Sequence, residues 1–222
     1  MPTPKKGYRD ANDNIVVGVT TVLKQSDKGQ LIAIANSLGL KGVKIYGPGG
    51  DWSHKADIGT ATHALIQGHL DRRPVDFSGA SQKAFEDAAP CFQSFLDWSA
   101  DKILKGESEL ALVHPKLPYG GTMDFIGDDG VLMDWKSSSD QGFSQTDDLL
   151  AQLAAYVELA LAHGRKVRRA TVVQFPKTGA PAAELSIEVG SLQHKQAWEL
   201  FRNLLEAYNL RRDLITWGKE TR

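Results

Sequence analysis

The sequence predicts an α/β chain, α+β-like in the order of its parts: one domain with a central mixed β-sheet flanked by helices. Three observations predict it. Helical patterns lead the chain, three extended segments then follow one another at 108–114, 120–127 and 131–137, and a helix at 145–163 precedes two further strands at 167–175 and 183–189. The length, 222 residues, suits one such domain, taken here as 1–222 with its core motifs between 57 and 175.

Each element has a local reason. The first 14 residues are polar and read as flexible. Residues 15–24 (IVVGVTTVLK) read as a short strand or turn, and 28–38 as a helix ended by Gly39. The stretch 41–53 holds four glycines and Pro48 and reads as a loop. Asp57 is placed to cap a helix over 58–70, with an apolar stripe through Ile58, Ala61, Leu65 and Ile66 and with His63 at its edge. A second helix lies between Gly79 and Gly106. In the helix 145–163, Leu149, Leu153, Val157 and Leu161 form the predicted buried stripe, Gln152 and Tyr156 share one flank, and Gly164 ends it. A C-terminal helix over 191–212 closes the chain, and no internal repeat or low-complexity segment interrupts it.

Composition removes several classes. Hydrophobic residues at 41% and charged residues at 24% exclude a disordered chain, a collagen-like repeat and a coiled-coil rod. A lone cysteine, Cys91, excludes an internal disulfide, a four-Cys zinc site and a Cys-ligated iron–sulfur cluster within one chain. No apolar run approaches the ~20 residues that span a bilayer, and the N-terminus shows no apolar signal segment, so no membrane partner and a cytoplasmic location are expected. The net charge of -1, from 26 Lys plus Arg and 27 Asp plus Glu, lacks the basic excess common in nucleic-acid binders. Local clusters restore the case: Arg165, Lys166, Arg168 and Arg169 fall together, and Lys41 and Lys44 sit in the glycine-rich loop.

The segment GGTMDFIGDDGVLMDWKSSS, residues 120–139, carries the chemistry. Alternation puts Thr122, Asp124 and Ile126 on one face of the first strand, and Leu132, Asp134 and Lys136 on one face of the second. A three-residue loop, Asp128-Asp129-Gly130, fits a type I turn with Gly130 as the left-handed bulge residue. That register pairs Gly127 with Val131 and therefore Asp124 with Asp134. The alternative, a two-residue Asp129-Gly130 turn, slips the register and separates the aspartates. In the first register two carboxylates face each other at ~5 Å, where like charges destabilise a sheet. A divalent cation between them resolves the conflict, since hard cations take carboxylate, water and phosphate oxygens.

Four ordered pieces of this chain resemble the PD-(D/E)XK nuclease superfamily, in its RecB-like and phage-type exonuclease branch. They are GTATH at 59–63, ELALVHPKLPYGGTMDFI at 109–126, DWKSS at 134–138 and QLAAY at 152–156. The likeness runs from about Val17 to Glu158. Gly-Gly-Thr-Met-Asp stands where Ala-Gly-Thr is commoner, and Ser137 where Thr is frequent.

The resemblance implies a restriction-endonuclease-like core and metal-dependent hydrolysis of DNA phosphodiester bonds, most simply from the ends of linear DNA. It implies one or two Mg²⁺ or Mn²⁺ ions held by Asp124 and Asp134, with His63 and the backbone carbonyl of Trp135 completing the shell. His63 is alternatively a phosphate contact. Lys136 would position or deprotonate the attacking water, the deprotonation requiring its pKa to fall. Gln152 would orient Lys136 or touch a DNA phosphate, and Tyr156 belongs to the same motif, although a core role explains it equally. Glu109 is either an accessory acidic residue near metal and substrate or a plain edge-strand charge. Thr20 and Thr21, with Ser137 and Ser138, are candidate substrate contacts; Thr20 and Thr21 read equally as strand residues. Recombination, repair or phage DNA processing is the implied setting, with a recombination or helicase partner, and these motifs do not fix an oligomeric state. A structure-specific endonuclease and a catalytically weak nucleic-acid-binding module are the rival readings. The remaining histidines, His54, His69, His114, His163 and His194, show no metal-ligand spacing and read as surface residues.

Overall fold

The computed structural model describes residues 4, 7–26, 51–139, 142–143 and 146–220. The helix expected at 28–38, and Lys41 and Lys44 with most of their loop, lie outside these residues. In chain order the elements are β1 (Tyr8–Arg9), β2 (Ile15–Gly18), α1 (Val19–Leu23), α2 (Asp51–Leu70), a 3₁₀ turn (Phe77–Gly79), α3 (Gln82–Ser99), β3 (Gly106–Val113), β4 (Tyr119–Gly127), β5 (Val131–Ser138), α4 (Thr146–Ala162), β6 (Arg169–Pro176), β7 (Ala183–Glu188) and α5 (Leu192–Glu220).

All seven strands join one mixed sheet, in the order β1-β2-β4-β5-β6-β7 with β3 paired to β4. The pairs β2–β4 and β5–β6 are parallel and the others antiparallel. Helices α4 and α5, with α1, close one large core over Tyr119, Met123, Leu132, Val172 and Phe201. Helices α2 and α3 close two smaller cores, one around Phe95, Trp135 and Phe175 and one around Ile58 and Ala61. The predicted α/β fold class is the one observed. No helix among the described residues is long and apolar enough to cross a membrane.

The β4–β5 hairpin has the register of the three-residue loop. Phe125 pairs with Met133 and Ile126 with Leu132, Gly130 N–H donates to the Gly127 carbonyl at 2.9 Å, and Gly130 has φ 79°. The ladder goes no further, because β5 turns away to pair along its whole length with β6, from Val131↔Arg169 to Ser138↔Pro176. Gly120 is partnered by Gly18 of β2 and by Val113 of β3. Since β3 runs along one edge of β4, β2 and β5 share the other, β2 at its start and β5 at its end. Between them the sheet opens as a wedge at Gly121 to Asp124.

The β3–β4 ladder is also interrupted inside this wedge. Ser108 pairs with Phe125 and Leu110 with Met123, but Glu109 and Asp124 between them do not pair, and Glu109 adopts φ 51°. Strict alternation therefore fails here. Met123 and Ile126, assigned to opposite faces by period two, pack in the same core, and Phe125 packs in the other with Trp135.

Several boundaries differ from expectation. Residues before 15 are not all loose: Arg9 pairs with Ile15 and Tyr8 with Val16, and the Tyr8 ring is buried against Gly18 and Gly120. Thr20 and Thr21 stand on helix α1 because β2 stops at Gly18, where its pairing with β4 ends. The loop expected up to residue 53 ends earlier, since α2 starts at Asp51, so Asp57 is an interior residue and not a cap. Helix α5 runs to Glu220 rather than 212. On α4 the buried surface reaches almost around the helix, Ala151 to Val157 with Leu159 and Ala160, because α5 covers the side away from the sheet; Leu161 is exposed.

Candidate active site

The wedge gathers the acidic residues. Strand β4 is buried along nearly its whole length, which is why it carries Gly120 and Gly121. A Cβ at Gly120 would lie 2.7 Å from the Tyr8 ring, and one at Gly121 would lie 2.6 Å from the Tyr156 ring. Those two rings thus wall the opening, and Asp124 follows at its floor. Its Oδ2 accepts the Trp135 backbone N–H at 2.6 Å, in place of a ladder bond. Its Oδ1 lies 3.2 Å from Nδ1 of His63 on α2.

One ligand atom from each of His63, Glu109 and Asp124 lies within 4.8 Å of the other two. Asp134 falls outside that group. Its Oδ2 is 2.5 Å from the Lys136 ammonium, which stands on the same face of β5. Of the expected ligand set of His63, Asp124, Asp134 and the Trp135 carbonyl, the geometry gathers His63 and Asp124, and it pairs Asp134 with Lys136. Glu109 joins His63 and Asp124, because its left-handed backbone turns an edge-strand residue inward. The Trp135 N–H meets Asp124.

The site is electrostatically unsatisfied as it stands. Asp124 and Asp134 are 1% and 0% exposed. Among the described residues, His63 Nδ1, Glu109 Oε2, Asp124 Oδ1 and Asp134 Oδ1 are buried at the site without a hydrogen-bond partner, and Asp134 Oδ2 is met only by the Lys136 ion pair. Burial and then the Asp124 charge push the Glu109 carboxyl up to about 7, against His63. Burial raises Asp134 as well, with Lys136 pulling the other way and Asp124 adding to the rise. Burial alone would depress Lys136, but Asp134 and Asp124 overcome it and hold the amine above its ordinary range. With no cation beside them, the two carboxylates favour the charged form of Lys136.

Gln152 and Tyr156 lie together on α4, the Gln152 amide donating to the Tyr156 hydroxyl at 3.1 Å. The contact expected from Gln152 to Lys136 is replaced by this one, since i and i+4 side chains meet along the helix. Tyr156 is buried, and its hydroxyl is raised first by that burial and then by Asp134. Sequence reasoning missed Tyr8, whose hydroxyl bonds Thr122 Oγ1 at 3.0 Å; the paired glycines at 120–121 were the one available signal. Ser137 lies beside Gly59 of α2, and the Ser138 carbonyl accepts Lys177 N–H at 2.7 Å. Thr20 and Thr21 are turned to solvent and lie outside the acidic group.

The three arginines of the expected basic cluster are spent on acids. Arg165 makes a bidentate pair with Glu107, Arg168 reaches Asp129 at 3.1 Å, and Arg169 reaches Glu188 at 2.5 Å. The fold supplies those acids from remote positions. His194, read as a surface residue, is buried with Nε2 3.5 Å from Glu158.

The donor set fits a hard divalent cation: orphaned carboxylate oxygens with one imidazole nitrogen, converging in a buried pocket. No family model matches the chain, and no curated protein matches it. Among solved structures, it is similar to a provisionally assigned exonuclease from Eubacterium rectale, at 13% identity over 68% of each chain with a TM-score of 0.46. It is also similar to an alkaline exonuclease from Laribacter hongkongensis, at 13% identity over 91% of this chain and 94% of that one, with a TM-score of 0.41. A dAMP complex of the latter aligns at 17% identity over 74% of this chain and 92% of that one, with a TM-score of 0.36.

Proposed function

We propose that this chain is a divalent-cation-dependent deoxyribonuclease that hydrolyses phosphodiester bonds from the ends of linear DNA, in recombination- or repair-type processing. The observation that carries the reading is the set of buried carboxylate oxygens without partners, on Glu109, Asp124 and Asp134, beside the Lys136 ammonium. Burying charge without a partner is costly, and these residues surround a space that a cation would fill.

His63, Glu109 and Asp124 would hold Mg²⁺ or Mn²⁺, with Asp134 turned to the same site. The bound cation supplies positive charge for the scissile phosphate and makes water a better nucleophile. The residues of the chain do the rest. Lys136, kept protonated by Asp134, donates to a phosphate oxygen as negative charge builds on it. Asp124, fixed through the Trp135 N–H, and Asp134, fixed through Lys136, hold their free oxygens toward the pocket without reorganising. Water adds to phosphorus and one ester P–O bond breaks, leaving a phosphate monoester and a hydroxyl.

Digestion of linear and closed-circular DNA with Mg²⁺ tests this, comparing wild type with Asp134→Ala and Lys136→Ala. Cleavage of linear DNA alone, lost in both variants, is expected. Undiminished cleavage by the variants would remove the site assignment, cutting of closed circles would make the enzyme an endonuclease, and metal-independent binding without cleavage would make it a binding module.

A further inference from the structure

A polar cavity lies at the other end of two elements that form the site. It is about 330 Å³, between the C-terminal end of α2 and the segment joining α3 to β3. His69, Arg72, Lys102 and Lys105 line it together with Ser99 and Ile103, and no Asp or Glu is among its lining residues. Arg72 and Lys105 are exposed and make no side-chain ion pair among the described residues. Lys102 leans on the Trp98 ring, 4.7 Å from its centroid, and comes within 3.5 Å of Asp101. The neighbouring Asp71 is engaged by Arg73 at 2.7 Å. In contrast to Arg165, Arg168 and Arg169, neither Arg72 nor Lys105 is neutralised by an acid among the described residues.

Two elements run from this cavity to the acidic pocket. Helix α2 carries His63 and, seven residues on, Leu70 at the cavity wall, a rise of about 10 Å. Strand β3 begins next to Lys105 and reaches Glu109 four residues later, about 13 Å away. With ~3.4 Å of axis per nucleotide along one strand of B-form DNA, that separation corresponds to about three to four nucleotides.

We infer that this basic cavity is a phosphate-binding subsite that grips the DNA backbone about three to four nucleotides from the bond being cleaved. The inference rests on the nuclease reading above and names where that substrate is held. Arg72 and Lys105 supply the free positive charge, and exposed Ile103 supplies an apolar surface for sugar or base.

The test is the double variant Arg72→Glu/Lys105→Glu in the full chain, against linear DNA from dinucleotide to 20-mer with Mg²⁺. For the 20-mer, KM rises about tenfold, kcat stays within about twofold, and the salt dependence of binding becomes shallower by about two. On the dinucleotide, too short to reach the cavity, the variant matches wild type. Arg202→Glu, a charge reversal on α5 across the sheet, leaves all of these unchanged. An equal defect on dinucleotide and 20-mer, or an unchanged KM and salt slope, overturns the subsite. Fluorescence anisotropy of a labelled 20-mer in EDTA reads the salt slope without cleavage. If wild type cleaves nothing, the nuclease reading fails while the subsite is still decided by that slope.

Discussion

Replacing Asp124 by Asn is expected to stabilise the metal-free protein while abolishing its response to metal. Asp124 is 1% exposed, and only one of its oxygens is hydrogen-bonded, to the Trp135 N–H at 2.6 Å. The other faces His63 Nδ1 at 3.2 Å, and neither of those two atoms has a hydrogen-bond partner. An asparagine keeps the acceptor for Trp135 and turns an amide N–H toward the vacant imidazole nitrogen. It also removes the charge that helps to raise Glu109. Relieving one unsatisfied buried charged atom is worth about 1–3 kcal/mol. For a chain of this size that is a Tm about 2–12 °C higher in EDTA. Wild type should recover about 2.7 kcal/mol when Mg²⁺ reaches a hundred times its Kd, and the variant should gain almost nothing. Thermal melts at pH 8, in EDTA and in a Mg²⁺ series, read both effects. A variant less stable than wild type in EDTA, or one with the full Mg²⁺ shift, refutes the argument that Asp124 is a strained, waiting ligand.

Two further outcomes follow from the same geometry. Glu109, raised to about 7 in the metal-free site, must lose its proton to bind a cation, so affinity weakens as pH falls through that value and levels off above it; calorimetry should show roughly tenfold weaker binding one unit below the pKa, and Glu109→Gln should flatten the profile. Gly121→Ala drives a methyl group to 2.6 Å from the Tyr156 ring and 3.1 Å from Val19; equilibrium unfolding should show a loss of about 1–3 kcal/mol, and an unchanged midpoint would mean that the rings do not wall the wedge.

What the sequence made legible was local. The turn Asp128-Asp129-Gly130 set the hairpin register because Gly130 supplies the positive φ, and from that register the approach of Asp124 to β5 followed. The α2 stripe and the end of α4 at Gly164 were readable for the same reason, one residue type meeting one backbone need. What the sequence left open or missed is non-local. Glu109, an accessory acid or a plain edge-strand charge by sequence, is brought to His63 and Asp124 by a left-handed backbone that glutamate does not advertise. Tyr8 is drawn into the sheet by space that Gly18 and Gly120 leave, more than a hundred residues apart for the second pair. Arg165, Arg168 and Arg169 looked free because Glu107, Asp129 and Glu188, which pair with them in the fold, are not their neighbours in sequence. Four motifs in order placed the acids, but the divergence of β5 toward β6 decided which acid sits with which partner.

That divergence also explains why the irregularities fall together. A continuous β4–β5 ladder would satisfy the backbone at Asp124 and hold Asp134 directly opposite, with no room between them. Splaying β5 opens the room and leaves the Trp135 N–H to be met by a carboxylate instead of a carbonyl. On the other side, regular pairing at Glu109 would point its side chain along the usual alternation; φ 51° redirects it toward Asp124 and His63. Such a conformation costs about 1–3 kcal/mol for a non-glycine residue, and a glycine would remove the cost together with the carboxylate. Two acids brought face to face add repulsion to that strain. A sheet built only for stability would have neither. The local rules of strand pairing are broken on both edges of β4 at the one level where acids converge, and a cation bound there would offset the strain, the repulsion and the missing hydrogen bonds at once.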